Sequence, residues 1–168
     1  MTFKLYLVRH ATATEGIGGA IRSDADRPLI DEGKKEAQAV ANALYRMGVK
    51  SDAFLTSPLV RARQTAEIFA EIFGQKGDVH LCEALAPHNS RSELWKDIRR
   101  LKRAQEVFLF GHQPDMGLLA GALLDGRDLL EIPFKKAAVA RIDVYDLPPT
   151  SPGTLKWFIT PKLVKAMS

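Results

Sequence analysis

Arg9 and His10 stand side by side at the end of the apolar run Leu5-Tyr6-Leu7-Val8, and the chain then turns small and polar from Thr12 to Gly19. An imidazole is a nucleophile and a proton carrier, and a guanidinium is a permanent cation with forked donors. The pair therefore suits chemistry on an anion. Two later segments repeat the pattern of an apolar run that delivers polar groups. Ala53-Phe54-Leu55-Thr56 leads through Ser57-Pro58 to Arg61, and Val107-Phe108-Leu109-Phe110 leads to Gly111-His112. Two arginines, two histidines and a helix start, gathered at one point, make a site for a phosphoryl group.

Gathering them requires strands that end at a common edge. Residues 3–8, Ala53–Thr56 and Val107–Phe110 read as buried strands, with a further strand from Val79 to Cys82. Helices read between them. One opens at Pro28-Leu29-Ile30-Asp31 with Asp31 as its N-cap and repeats Ala37, Val40, Ala41 and Leu44 until Gly48. A second follows Ser57-Pro58, with Ser57 as cap and proline in the first turn, and runs to Gly74. Ser90 caps a third through Leu94, Trp95, Ile98 and Leu101, and Pro114 begins a fourth that ends at Gly126. Ala137–Val144 and Thr154–Thr160 read as late strands joined by a proline-rich turn, followed by a basic tail from Pro161 to Ser168. Strand and helix alternation predicts an α/β three-layer sandwich: a mostly parallel central sheet, helices on both faces, and antiparallel pairing late in the chain. In such a fold the carboxyl ends of the strands meet, which is where ligands bind. The segment from Ala11 to Asp26 reads as a long loop. Its Gly16-Ile17-Gly18-Gly19 fits neither the dinucleotide nor the P-loop pattern.

Composition narrows the function classes. The 168 residues, 46% hydrophobic and 26% charged, predict one globular domain spanning 1–168. No apolar run approaches the ~20 residues that cross a bilayer, and the N-terminus carries no secretory leader pattern. A cytoplasmic location without membrane association is expected, and the lone Cys82 agrees, since one thiol builds no disulfide framework. The net charge of +4 suits an anionic partner. Its densest cluster, Arg99-Arg100 and Lys102-Arg103, shares a helix with Glu93 and Asp97 and has no interleaved aromatics, so it reads as a solvated face and no nucleic-acid partner is expected.

Taken together, Leu-Tyr-Leu-Val-Arg9-His10-Ala11, Ser57-Pro58-Leu-Val-Arg61-Ala62-Arg-Gln64-Thr65 and Phe-Gly111-His112 resemble the histidine phosphatase superfamily, in its phosphoglycerate-mutase-like branch. The short length, Arg27-Pro28-Leu29 ahead of Glu32-Gly33, and the ending Trp157-Phe-Ile-Thr-Pro161-Lys162-Leu-Val are similar to the SixA type of protein-phosphohistidine phosphatase. Ala11 departs from the glycine that many members carry. The resemblance implies that His10 is the nucleophile, attacking as neutral imidazole, and that Arg9, Arg61 and His112 hold the phosphoryl oxygens, with His112 cationic. No metal or other cofactor is expected, because fixed positive charge replaces it and the four histidines lack ligand spacing.

Three carboxylates compete as general acid: Glu83 by its order in the family pattern, and Asp24 and Asp26 in the first loop. A phosphohistidine substrate needs such an acid least, because its leaving imidazole has a pKa near ~6.5. The implied partner is a phosphorylated protein such as a histidine-phosphotransfer domain. The alternatives are a phosphatase for a small phosphorylated metabolite and a non-catalytic module that binds phosphorylated ligands. Other residues read as structural: His80 in a strand, His88 in a loop, Gln64 and Thr65 supporting the Arg61 helix, and Trp95 and Trp157 in the core.

Overall fold

A computed structural model describes all residues 1–168. Six strands form a single sheet: β1 (Phe3–Arg9), β2 (Ala53–Thr56), β3 (Val79–Leu81), β4 (Glu106–Gly111), β5 (Val139–Val144) and β6 (Thr154–Ile159), in the order β3-β2-β4-β1-β5-β6. The β1–β4, β2–β4 and β2–β3 pairs are parallel, whereas β1–β5 and β5–β6 are antiparallel. The predicted mixed sheet with late antiparallel pairing is therefore the observed one.

Alternation along the inner strands explains why both faces are covered. Leu5 and Leu7 of β1 and Val107 and Leu109 of β4 face one core, where α3 (Arg91–Arg100) and α4 (Asp115–Asp125) supply Leu94, Ile98, Leu119 and Leu123. Tyr6, Val8, Phe108 and Phe110 face the other, against α1 (Asp31–Arg46), α2 (Val60–Ile72) and α5 (Pro161–Ala166). This second core is aromatic: Phe108 stacks on Tyr6 at 4.4 Å and on Phe54 at 5.3 Å, and Phe69 meets Phe110 edge-on at 5.2 Å. Each such fully buried ring contributes about 1.5–3 kcal/mol by leaving water. Trp95 and Trp157 are only half-buried, on the flanks of the two cores.

Helix boundaries depart from the sequence expectation in three places. Asp31 is the first helical residue rather than the cap, which is Ile30, so its carboxylate and that of Glu32 act on the helix dipole. Ser57 is not the cap of α2 either; Leu59 holds that place, and Ser57 lies free of the helix. The basic tail is helical because Thr160 caps it, accepting from Leu163 N–H, and Pro161 occupies the first turn, the same signal that opens other helices.

The turn after β1 is clamped by α1. Glu36 accepts from Thr12 N–H at 3.0 Å and from its hydroxyl at 2.8 Å, and Ile30 N–H donates to Thr12 carbonyl at 3.1 Å. Gly33 permits this approach, since a Cβ there would sit 2.0 Å from the Thr12 carbonyl oxygen. Gly33→Ala is expected to lower stability by about 1–3 kcal/mol, read as a lower urea midpoint at unchanged slope. A midpoint equal to that of the unsubstituted protein would show that the turn is not held by this contact.

Candidate active site

The site is built where inner strands end. His10 N–H donates to Gly111 carbonyl at 3.0 Å, and Ser57 N–H donates to Phe110 carbonyl at 3.0 Å, so the ends of β1, β4 and β2 are level. Because β5 runs antiparallel, its start reaches the same edge: Arg9 N–H donates to Ala138 carbonyl and Ala137 N–H to His10 carbonyl, both at 3.2 Å. Arg61 enters from the first turn of α2. Arg9, His10, Arg61 and His112 thus line one cleft of about 320 Å³, together with Ala13, Glu15, Arg27, Pro87, Gln113 and Lys136.

His10 is 7% exposed, and its Nδ1 lies 2.7 Å from its neighbour's carbonyl, Ala11 O. A carbonyl only accepts, so Nδ1 carries the proton. Burial pushes the imidazole down to about 4; the Ala11 bond opposes this, and Arg61, Arg9 and Lys136 push further down. At neutral pH the ring is uncharged, with its lone pair on Nε2.

The Ala11 peptide is itself held. Its N–H donates to Thr65 Oγ1 at 3.1 Å, and that hydroxyl donates to Arg61 carbonyl at 2.7 Å. Thr65 therefore ties the His10 turn to the Arg61 helix, a supporting role as expected. Gln64 instead accepts from Leu29 N–H at 2.8 Å, fastening the first loop to α2.

Arg61 is nearly buried and grips Asp24: Nη1 donates to its carbonyl at 2.7 Å and Nη2 to Oδ2 at 2.9 Å. Arg9 donates through Nη1 to Phe134 carbonyl at 2.8 Å. Arg9 Nε, Arg61 Nε and His112 Nδ1 are buried without a partner. Buried donors that find no protein acceptor are costly, and the two guanidinium nitrogens beside one cleft suit an anion, with Gln113 Oε1 an unpartnered acceptor on the same wall.

His112 differs from expectation in charge. Burial, then His10 and Arg61, push its imidazole down to about 3, so in the free protein it is neutral rather than cationic. Its Nε2 lies 2.8 Å from Ser57 Oγ, and that oxygen already accepts from Leu59 N–H at 3.3 Å. With the Ser57 hydroxyl donating to Nε2, the ring proton stands on Nδ1 as a donor facing the cleft; with the direction reversed it stands on Nε2. Sequence reasoning saw Ser57 as a cap and missed this contact, which no spacing rule announces.

None of the three carboxylates expected to compete as general acid is among the residues that line the cleft, although Asp24 bonds two arginines that are. Glu83 is exposed, at the start of a 3-10 turn (Glu83–Leu85), with Asn89 donating to its carbonyl at 2.5 Å. Asp26 accepts from Ser23 Oγ at 2.8 Å on the exposed first loop. Asp24 is bonded by both Arg61 and Arg27. Burial raises its carboxyl, but the bonds and charges of the two arginines outweigh that and hold it below the usual range, as a counterion rather than an acid. The carboxylate on the cleft wall is Glu15, which the sequence did not single out. His80 is exposed in β3 and His88 in a loop, and Cys82, just past β3, is buried and donates to Asp97 at 3.2 Å. No group of three or more His, Cys, Asp or Glu is placed to hold a metal ion, and no helix is long and apolar enough to cross a membrane.

Known proteins resemble this chain in sequence and in fold. The model of the histidine phosphatase superfamily (branch 1) matches residues 5–89. An uncharacterized protein of Picosynechococcus sp. is 37% identical over 139 residues, covering 81% of this chain and 82% of that one. The phosphohistidine phosphatase SixA of Escherichia coli is 26% identical over 171 residues, covering 98% and 99%. The solved structure of the protein histidine phosphatase SixA complexed with tungstate superposes with a TM-score of 0.82 at 24% identity, covering 95% and 98%, which speaks to the fold.

Two outcomes follow from the site's protonation. In the folded chain both rings titrate well below the ordinary ~6.5, so between those values the unfolded chain binds more protons. Stability is then fully present above about pH 6.5 and falls as pH drops through 4. Thermal midpoints should decline over that window, less steeply in His112→Asn; parallel curves would contradict the buried neutral ring. Ser57→Ala should abolish the Nδ1–H preference of His112 in ring-nitrogen NMR and weaken inorganic phosphate binding about tenfold. An unchanged tautomer would remove Ser57 from the site.

Proposed function

Because the chain belongs to the histidine phosphatase superfamily (branch 1), we propose that it is a phosphatase working through a phosphorylated His10, and that its substrate is phosphohistidine on a signalling protein. The observation that carries the reading is the 2.7 Å bond from His10 Nδ1 to Ala11 carbonyl, which, in a ring that burial and the neighbouring cations keep uncharged, leaves the Nε2 lone pair available beside two arginines.

The steps follow from that geometry. The Nε2 lone pair attacks phosphorus, and the phosphorus–nitrogen bond to the substrate imidazole breaks. The bonding pair leaves with that ring, which carries a proton on its other nitrogen and so departs as neutral imidazole. Arg9, Arg61 and His112 Nδ1–H hold the three terminal oxygens, where charge sits during transfer. Water then attacks phospho-His10, releasing inorganic phosphate and restoring the lone pair. The guanidinium groups and the imidazole donor supply the electrophilic help, so the reading calls for no metal or cofactor.

The leaving group decides between substrates. Asp24 is committed to arginines, and neither Glu83 nor Asp26 lines the cleft. A departing imidazole, with a pKa near ~6.5, needs little protonation, and a protein bearing phosphohistidine fits that chemistry. Glu15 on the cleft wall favours a second reading, in which it protonates the alcohol leaving from a small phosphorylated metabolite.

Incubation with a phosphorylated histidine-phosphotransfer domain should release inorganic phosphate and leave an acid-labile, alkali-stable phosphoenzyme on rapid quenching. His10→Ala should form none and lose turnover by about 10³-fold or more. Intact phosphohistidine after long incubation, with efficient turnover of a phosphometabolite that Glu15→Gln slows, would move the assignment to the second reading. Tight binding without any phosphoenzyme would make the chain a binding module.

A further inference from the structure

Lys136 is the cation of the cleft that nothing else in the protein holds. Arg9 is bonded to Phe134 carbonyl, Arg61 to Asp24, and Arg27 to Asp24 and to Thr14 carbonyl. Lys136 lines the same cleft and takes part in none of the ion pairs or side-chain hydrogen bonds of the structure. An ammonium left free beside arginines is placed for a ligand's negative charge.

Its position is set by main chain. Ala137 N–H donates to His10 carbonyl, Arg9 N–H donates to Ala138 carbonyl, and Ala138 N–H closes a turn on Lys135 carbonyl at 3.0 Å. Lys136 therefore stands one residue before the peptide bonded to His10. Ala137 is fully buried at φ +57, a left-handed conformation that residues with a side chain rarely adopt. Such strain persists only where surroundings over-determine it, and here the surroundings are the main chain of Arg9 and His10. The charge also reaches the ring: after burial, Lys136 is one of three cations, with Arg61 and Arg9, that disfavour protonated His10.

We propose that Lys136 contacts the substrate, its ammonium taking a phosphoryl oxygen alongside Arg9 and Arg61 and stabilising the charge that builds there during transfer. The inference rests on the phosphoryl-transfer reading and adds a fifth group to it. The lysine complements the arginines physically. Their forks are fixed by main-chain and carboxylate bonds, whereas an ammonium is a compact charge on a flexible stem with rotatable donors. It can follow the oxygens as the phosphorus inverts between leaving ring and His10.

The test uses Lys136→Gln and Lys136→Arg in the full chain, with thermal midpoints confirming that both fold. In Lys136→Gln, calorimetry should show inorganic phosphate binding weakened about tenfold, with Lys136→Arg close to the unsubstituted protein. Phosphoenzyme formation from phosphoramidate at saturation should slow by about 10–100-fold, a loss in rate beyond the loss in affinity. The His10 ring should titrate at higher pH by NMR. Unchanged phosphate affinity together with an unchanged His10 titration would overturn the proposal. So would a loss confined to KM for a phosphoprotein, which would place Lys136 on a partner-facing surface. If the unsubstituted protein forms no phosphoenzyme at all, the phosphoryl-transfer reading fails, while phosphate binding and the His10 titration still decide the role of Lys136.

Discussion

One hydrogen bond constrains the rest of the site. His10 can offer a lone pair towards the cleft only while its other nitrogen gives a proton to the Ala11 carbonyl, and that carbonyl belongs to a peptide held by Thr65. Thr65 bonds in turn to the Arg61 carbonyl, so the His10 ring and the Arg61 guanidinium share one rigid connection through α2. Glu36 and Gly33 close on the following residue from α1. The arrangement is preorganised: dipoles and donors are set before a ligand enters, which is where most electrostatic catalysis originates.

Much of this was readable from residue types. The alternation Leu5, Tyr6, Leu7, Val8 announces a strand buried on both faces, and the two cores receive those residues in turn. Proline and glycine punctuation located α4 and its close at Gly126, whose φ of +70 is the left-handed stop expected there. The C-terminal helix escaped notice because its basic composition masked the Thr160-Pro161 start. The caps of α1 and α2 were misplaced because a polar residue near a helix start need not cap it; Asp31 lies inside its helix and Ser57 before the start of its own.

At the site, legibility followed the strands. Arg9, His10, Arg61 and His112 sit where strands end or a helix begins, so topology alone predicts their meeting. Glu15 and Lys136 sit on loops that approach from other parts of the chain, and no periodicity reports where a loop folds. The charge of His112 was misjudged for a related reason. Its cationic neighbours and its burial act in the same direction, and the extent of burial is a property of packing rather than of local sequence. Asp24 shows the converse, an acid that the arginines convert into a structural counterion.

The strand order has a bearing on how such a protein diversifies. Arg9, His10, His112 and Lys136 hang from the ends of β1 and β4 and the beginning of β5, and Arg61 from the helix after β2, while β3 and β6 form the two margins and supply none of their own residues to the cleft lining. Insertions along those margins need not move the strand ends that carry Arg9, His10 and His112. Under the phosphoryl-transfer proposal, such a plan lets a different phosphorylated molecule be accommodated by remodelling the periphery while the reacting groups stay where the inner strands end.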